Sequence, residues 1–397
     1  MGALSALLAG WYFQPMLWVD IGGRPVPQQA SSDVQKASQR DRSTLLFVGD
    51  TYFGESYADP GASVADRRGY DEPLEPFREL LSSADAVIGN LEAPLTERDS
   101  ILHRLKNWPH RGAPEKSAAA LERAGFDAFS LANNHTWDSL GPGLRDTRAA
   151  LERHGIVPFG AGPSLPEAMR PLRIELRARE RVVRVAVIGA LEREWDDFFS
   201  GAFATSTTGG TYPLAPRAMA QQIRALKRRD PELWVIVFPH WGDNYHWRTA
   251  RQRRVAHALI AAGADLVIGH GAHVFQEVEL TDGRAIVYSL GNFMFLSQGR
   301  YQKKHIHPWS TAARVEFIER GDALHVALKL YFIASDNLAT RFRPHLLDGD
   351  EFTRACEVLL AGGSLEPTTR ERLRAATRIQ RDAVGRHLTI ELGRAGR

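Results

Sequence analysis

Cysteine is almost missing from this chain. Cys356 is the only one in 397 residues, so no internal disulfide can form and no thiolate cluster can hold a metal. A bound ion must therefore rest on histidine, aspartate, glutamate and asparagine. Cys356 lies in an apolar-periodic run over 352–360, which predicts a small core residue. Long hydrophobic runs are missing too. Residues 1–19 carry no charge, but Gln14 and Pro15 interrupt them and no basic residue precedes Arg24. That stretch falls short of the about 20 strongly apolar residues a membrane span requires. The expectation is a cytoplasmic protein with an N-terminal arm and no membrane anchor. There is no Gly-Lys-Ser/Thr phosphate loop, no Gly-x-Ser-x-Gly elbow and no His-Glu-x-x-His. Gly160-Ala161-Gly162 is too short for a dinucleotide site, and no internal repeat occurs.

A strong charge imbalance is also absent. Fifty basic residues face 47 acidic ones, a net of +3 with pI near 9.0, which gives no reason to expect nucleic acid as a partner. Part of the surplus sits in the tail at Arg370, Arg372, Arg374, Arg378, Arg381 and Arg386, a pattern of a solvated helix face. The 44% hydrophobic and 24% charged content fits a soluble globular chain, long enough for one large domain or two.

Short apolar runs alternate with helix-period runs. Strands are expected at 44–48, 86–89, 126–131, 156–159, 181–189, 233–238, 265–268 and 285–290. Helices are expected at 73–83, 116–124, 143–154, 219–229 and 251–262, several stopped by glycine. A hairpin at 311–318 and 324–333 turns at Gly321-Asp322, so the sheet should be mixed. Two terminal helices are expected at 351–361 and 368–384. This alternation argues an α/β fold. It divides the chain into an arm and linker (1–43), a main domain (44–340) and a C-terminal helical extension (341–397). The loop at 97–115, with Trp108, His110 and Arg111, reads as a pocket wall. The aperiodic stretch 192–216, with Trp195, Phe198, Phe199 and Phe203, reads as a functional loop.

Polar residues end the apolar runs. Asp50, Glu92, Asn134 with His135, His240, and His270 with His273 all follow buried-type strands, where open α/β sheets place their sites. With His135 set aside, two carboxylates, a carboxamide and three imidazoles form a mixed oxygen and nitrogen set suited to Mn, Fe, Zn or Co. One or two divalent ions are expected. Glu92 is the expected bridge, Asp50 and His273 ligands of one ion, and Asn134, His240 and His270 ligands of the other. His135, beside a ligand, is assigned as acid or base, with Asp138 in the same loop. Arg111, Trp241, Tyr245, Asn292 and His305 are assigned to substrate. The cationic run at 302–307 could receive a carboxylate or phosphate. His246 and His257 are weaker ligands on pattern, His257 lying inside a helix.

In order, Gly49-Asp50, Asn90-Leu91-Glu92, Ala132-Asn133-Asn134-His135 with Asp138, His240-Trp241-Gly242 with Tyr245, Gly269-His270 with His273, and Ser289-Leu290-Gly291-Asn292-Phe293 resemble the motif series of the CapA family. That family is named for capsular poly-γ-glutamate synthesis and is related to calcineurin-like metallophosphoesterases. The resemblance covers roughly 44–296. It implies a calcineurin-like four-layer α/β/β/α sandwich with mixed sheets and a metal centre at the strand ends. The chain departs from the pattern at Gly271 and Ala272, where His and Pro are usual, and at Asn244, where Glu is common. It departs again at Tyr52, where the wider superfamily has His.

The resemblance leaves three reactions open on a peptide or polyglutamate-type substrate or a phosphate ester. Metal-polarised carboxylate or carbonyl chemistry could invert a Cα centre, as in the lasso-peptide epimerases similar to this branch. The same polarisation could serve amide chemistry of the capsule type. A phosphate ester could instead be hydrolysed, with His135 protonating the leaving group. A metal-bearing scaffold in polymer export is the non-enzymatic alternative.

Overall fold

The structure is a computed structural model that describes residues 41–54, 63–98, 109–193 and 202–395. The N-terminal arm, Trp108, Trp195, Phe198 and Phe199 lie outside the described residues.

Two sheets are stacked between helices. The first is built on β1 (Arg42–Tyr52), β2 (Ala86–Leu91), β3 (Ala128–Ser130) and β4 (Val157–Phe159), all parallel. A short pair, β5 (Ala161–Gly162) and β8 (Gly210–Thr211), stands apart from both sheets. The second sheet uses β6 (Leu172–Ala178), β7 (Arg181–Leu191), β9 (Trp234–His240), β10 (Leu266–Ile268), β11 (Val278–Thr281) and β12 (Arg284–Val287) in the order β11-β12-β10-β9-β7-β6. The chain then returns to the first sheet through β13 (Asn292–Phe295), parallel to β1, and the hairpin β14 (Trp309–Arg320) and β15 (Ala323–Ala334), antiparallel to it. Short β16 (His345–Leu346) pairs with β15. Both sheets are therefore mixed.

Side-chain alternation along the strands creates the layers. Leu45 and Phe47 of β1 face Val185, Val187, Ile236 and Phe238 of the second sheet in the inner core. Leu46 and Val48 face the opposite way, onto the helices Pro114–Arg123 (α1) and Leu140–Arg153 (α2). Ala186, Ile188, Val235 and Val237 face outward onto Pro216–Arg229 (α3) and Ala250–Ala261 (α4). The result is a four-layer α/β/β/α sandwich. Burial runs unbroken over the sheet's central strands; in β2 every residue is buried, as strands covered on both faces require. No helix among the described residues is long and apolar enough to cross a membrane.

Two local expectations need correction. Residues 73–83 are not one α-helix. They form a 3-10 segment, Glu72–Phe77, followed by one helical turn, Arg78–Ser82. Pro73 and Pro76 lack the amide donors a continuous helix needs. Residues 368–384 are not one helix either. After Gly349–Ala361 (α5), the helix Pro367–Ala376 (α6) gives way to β17 (Thr377–Arg381) and β18 (Arg386–Ala395). β18 pairs antiparallel with β15, so the chain's end completes the first sheet. Leu388, Ile390 and Leu392 alternate inward, a period-two signal that helical counting over 368–384 misses. Phe352, Cys356, Leu359 and Leu373 of α5 and α6 join the inner core. The predicted helical extension is thus only partly helical and packs as part of the main body.

Candidate metal centre

Backbone geometry behind Asp50 is tight. β1 shifts register between Asp50 and Thr51 where it meets β13, and the Asp50 amide donates to the Gly291 carbonyl at 2.9 Å. A Cβ on Gly49 would sit 1.8 Å from that carbonyl oxygen, so only glycine allows the approach. Asp50 is fully buried at this point. β2 delivers Glu92, the Asn133–Asp138 turn follows β3, β9 ends on His240, and β10 leads into His270 and His273. A parallel bridge between His240 and His270 holds the last two loops together.

These residues converge. The Nδ1 atoms of His240 and His270 lie 3.1 Å apart, and Asp50 Oδ1 lies 3.2 Å from His270 Nδ1 and 3.9 Å from His240 Nδ1. Asp50 Oδ2 lies 3.5 Å from His273 Nδ1 and accepts the Gly271 amide at 3.1 Å. Glu92 Oε1 stands 3.9 Å from His240 Nε2 and 4.0 Å from the Nε2 atoms of both His273 and His135. Two metal-type groups emerge: Asp50 with His240 and His270, and Asp50 with Glu92 and His273. Asp50, rather than the expected bridge Glu92, is common to both groups. Asn134 follows buried Asn133 in the same turn and is half-buried.

The electrostatics suit a cation. Burial alone would raise the Asp50 carboxyl, but the hydrogen bond and charge of His270, with His240 and His273, hold it at about 2. Burial pushes His240 well below its ordinary value, helped by His270, and burial also lowers His273. Lowered His240 and His273 beside an ionised Asp50 are the protonation states that metal ligation requires. His270 Nε2 is buried and has no hydrogen-bond partner among the described residues. Two ligands of a tetrahedral ion with bonds of about 2.1 Å stand about 3.4 Å apart, close to the separations around Asp50 Oδ1. The donor set therefore fits a divalent metal.

Polar side chains behind the centre fix its geometry. Asn90 donates to Asp50 Oδ1 at 2.9 Å and accepts from Asn133 at 3.0 Å; Asn133 Oδ1 accepts the His135 amide at 3.1 Å. One amide chain thus joins the first three strand ends. Asn292 Oδ1 lies 2.8 Å from His273 Nδ1, and its amide donates to the Tyr301 hydroxyl at 3.0 Å. Asn292 therefore orients a ligand. At the cleft edge His135 Nδ1 lies 2.7 Å from Asp138 Oδ2, and Asp138 is fully buried.

The other assigned substrate residues divide. Tyr245, at φ +60°, packs its ring 5.3 Å from His273 and forms a wall of the centre. Arg111 is half-buried beside His110. Trp241 departs from its substrate assignment: it is buried in the outer core and donates to the Tyr288 carbonyl at 2.7 Å. His305 is exposed at the left-handed end of the short helix Tyr301–Lys304. His257 pairs with Glu279 at 2.9 Å, away from the ligand groups. Burial pushes His307 down to about 4, stacked 4.0 Å from Phe275, so it offers no charge to a substrate.

Three contributors escape the strand-end pattern as first read. Asn90 carried a signal, since asparagine inside a buried strand is unfavourable without a partner. Glu192 follows β7 and accepts the Gly242 amide at 3.0 Å, holding the His240 loop. Arg300 makes its charge felt at His273 and Tyr245, but nothing in its local sequence places it there.

Comparison with known proteins gives the family. The family model described as "Bacterial capsule synthesis protein PGA_cap" matches residues 44–297. The capsule biosynthesis protein CapA of Bacillus anthracis is 31% identical over 271 residues, covering 66% of this chain and 61% of that protein. The PGA biosynthesis protein CapA of Bacillus subtilis is 30% identical over 280 residues, covering 70% of this chain and 68% of that protein. Among solved structures, the calcineurin-like phosphoesterase YfkN from Bacillus subtilis is similar at 13% identity and a TM-score of 0.41, covering 71% of this chain and 86% of that one. By the matched segment and these relatives, the chain belongs to the PGA_cap family of bacterial capsule synthesis proteins.

Proposed function

We propose that this chain is a metal-dependent enzyme that cleaves or transfers an amide bond of a peptide or polyglutamate-type substrate, with His135 moving the proton. The observation behind this reading is the place of His135. Its Nδ1 is engaged by buried Asp138, while its Nε2 points to Glu92 Oε1 at the edge of the ligand cluster. The names of the two CapA relatives support a capsule-type substrate.

Asp50, Glu92, His240, His270 and His273, with Asn134 beside them, would hold one or two divalent ions, which supply polarisation of a carbonyl oxygen. The chain's own residues do the rest. Asp138 keeps the Nδ1 proton on His135, so Nε2 carries the lone pair. That lone pair takes a proton as water oxygen bonds to the carbonyl carbon. The same proton then passes to the amine nitrogen as the carbon–nitrogen bond breaks. Inversion at Cα needs proton carriers on opposite faces. His135 and its neighbour His110 instead stack with ring centroids 3.5 Å apart, too close to flank a carbon between them.

The test is mass spectrometry of a γ-linked glutamyl oligopeptide incubated in heavy water with protein loaded separately with Mn, Fe, Zn or Co. Cleavage or transfer is expected, lost in His135→Ala with metal content unchanged. Deuterium at Cα without cleavage would replace this reading with epimerisation. Phosphate release from a simple ester, with the peptide untouched, would replace it with a phosphoesterase.

A further inference from the structure

His110 stands outside the ligand set and outside the His135–Asp138 pair, yet it touches both. Its ring lies parallel to the His135 ring, centroids 3.5 Å apart and planes 9° apart. On its other face lies Tyr52, centroids 4.1 Å apart and planes 10° apart. The His110 amide donates to Asp138 Oδ2 at 2.7 Å, the same oxygen that engages His135 Nδ1. Its Nδ1 lies 2.9 Å from the Glu92 carbonyl, so it donates there. The loop carrying it is pinned by a bridge between Leu95 and Gly112, with the Gly112 amide on the Pro94 carbonyl at 2.8 Å.

We infer that His110 is a positioning residue for His135: it clamps Asp138 through its amide and holds the His135 ring in plane by stacking against it. The inference rests on His135 being the proton carrier. An imidazole attached through one flexible bond pair can rotate out of line unless both its edge and its face are held. Asp138 holds the edge. Buried ligands lie toward Nε2, and the face is covered by His110, itself backed by Tyr52. Tyr52 sits two residues beyond Asp50, so the strand that delivers the central carboxylate also ends the ring stack. His110 thereby links the geometry of the proton carrier to that of the ligands, through the Glu92 backbone on one side and β1 on the other.

The test compares His110→Ala and His110→Phe with wild type, all with metal content measured. His110→Ala should lower kcat about 10- to 100-fold, the scale of a lost orientation, with KM little changed. His110→Phe keeps the stack and the backbone amide, and should recover most of that loss. A second readout does not depend on turnover: the His135 Nδ1 proton in a proton–nitrogen correlation spectrum. It should be sharp and slow to exchange in wild type and His110→Phe, and lost in His110→Ala. Equal spectra and equal kcat in wild type and His110→Ala would overturn the inference. So would a His110→Phe as impaired as His110→Ala, since the stack would then contribute nothing. If no substrate is turned over by wild type, the proposed function fails while the proton signal still decides the clamp.

Discussion

Asp138→Asn separates charge from geometry at the proton carrier. In many acid–base pairs this change inverts the histidine tautomer, because the new amide group donates where a carboxylate accepted. Here two donors converge on one oxygen: the His110 amide at 2.7 Å and His135 Nδ1 at 2.7 Å. An asparagine must turn its oxygen to that position, since its NH2 would meet two N–H groups. The tautomer is therefore kept and only the negative charge is lost. A hydrogen bond to a charged partner is worth about 1.5–3 kcal/mol and a neutral one about 1, a difference of about 0.5–2 kcal/mol. At about 1.36 kcal/mol per tenfold, kcat should fall about 2- to 30-fold. The assay is steady-state cleavage of the γ-glutamyl peptide with saturating metal, alongside metal content and a thermal melt. A fall of about 10⁴, the scale of an inverted tautomer in a serine-protease triad, would refute the two-donor argument.

Other perturbations follow from the same coordinates. Burial lifts Asp127 to about 6 although it accepts the Val87 amide at 2.8 Å. Its folded value lies above the unfolded one, so the native state holds the proton more tightly and stability declines as pH rises from about 4 to about 6. Asp127→Asn should leave stability at pH 4 unchanged and raise it by roughly 1–2 kcal/mol at pH 7, measured by urea unfolding; equal effects at both pH values would show that the carboxyl does not titrate this way. Arg300→Ala should raise KM for an acidic peptide about 3- to 10-fold at low salt, with kcat unchanged and the effect fading in high salt, as expected for a screened surface charge. An effect independent of salt would remove Arg300 from substrate attraction. Asp382 meets Arg314 at 2.5 Å, Tyr331 at 2.7 Å and Lys329 at 3.3 Å, tying the turn between β17 and β18 to the hairpin strands. Asp382→Ala should destabilise by about 2–3 kcal/mol, below the cost for a fully buried pair because its side chain is 25% exposed. An unchanged urea midpoint would show that the terminal strands stay docked without it.

The strand ends were readable because burial on both faces leaves a continuous apolar run, and a polar residue that closes such a run stands out. Asp50, Glu92, His240, His270 and His273 all carry that signature, and the structure gathers them, with His135 at the edge beside Glu92. The order of motifs also fixed the family and hence the layered architecture. Other features have no local trace. Trp241 follows a ligand in sequence, yet the turn after β9 points its indole into the outer core. β17 exposes four of its five residues, so no periodicity marks it as a strand; pairing with β18 makes it one.

The chain alone thus determined which chemistry is available: a cysteine-poor, balanced sequence with hard and borderline donors at successive strand ends. Tertiary structure decided how those donors are shared. Asp50 became common to both ligand groups because its two oxygens face different histidines, Oδ1 toward His240 and His270 and Oδ2 toward His273, and Glu92 came to face three imidazoles. It also stacked Tyr52, His110 and His135, residues up to 83 positions apart in sequence numbering. Periodicity records which side of a strand is buried. It carries no information on which distant loop will cover that side, because that depends on sheet order and twist, set only when all the layers close.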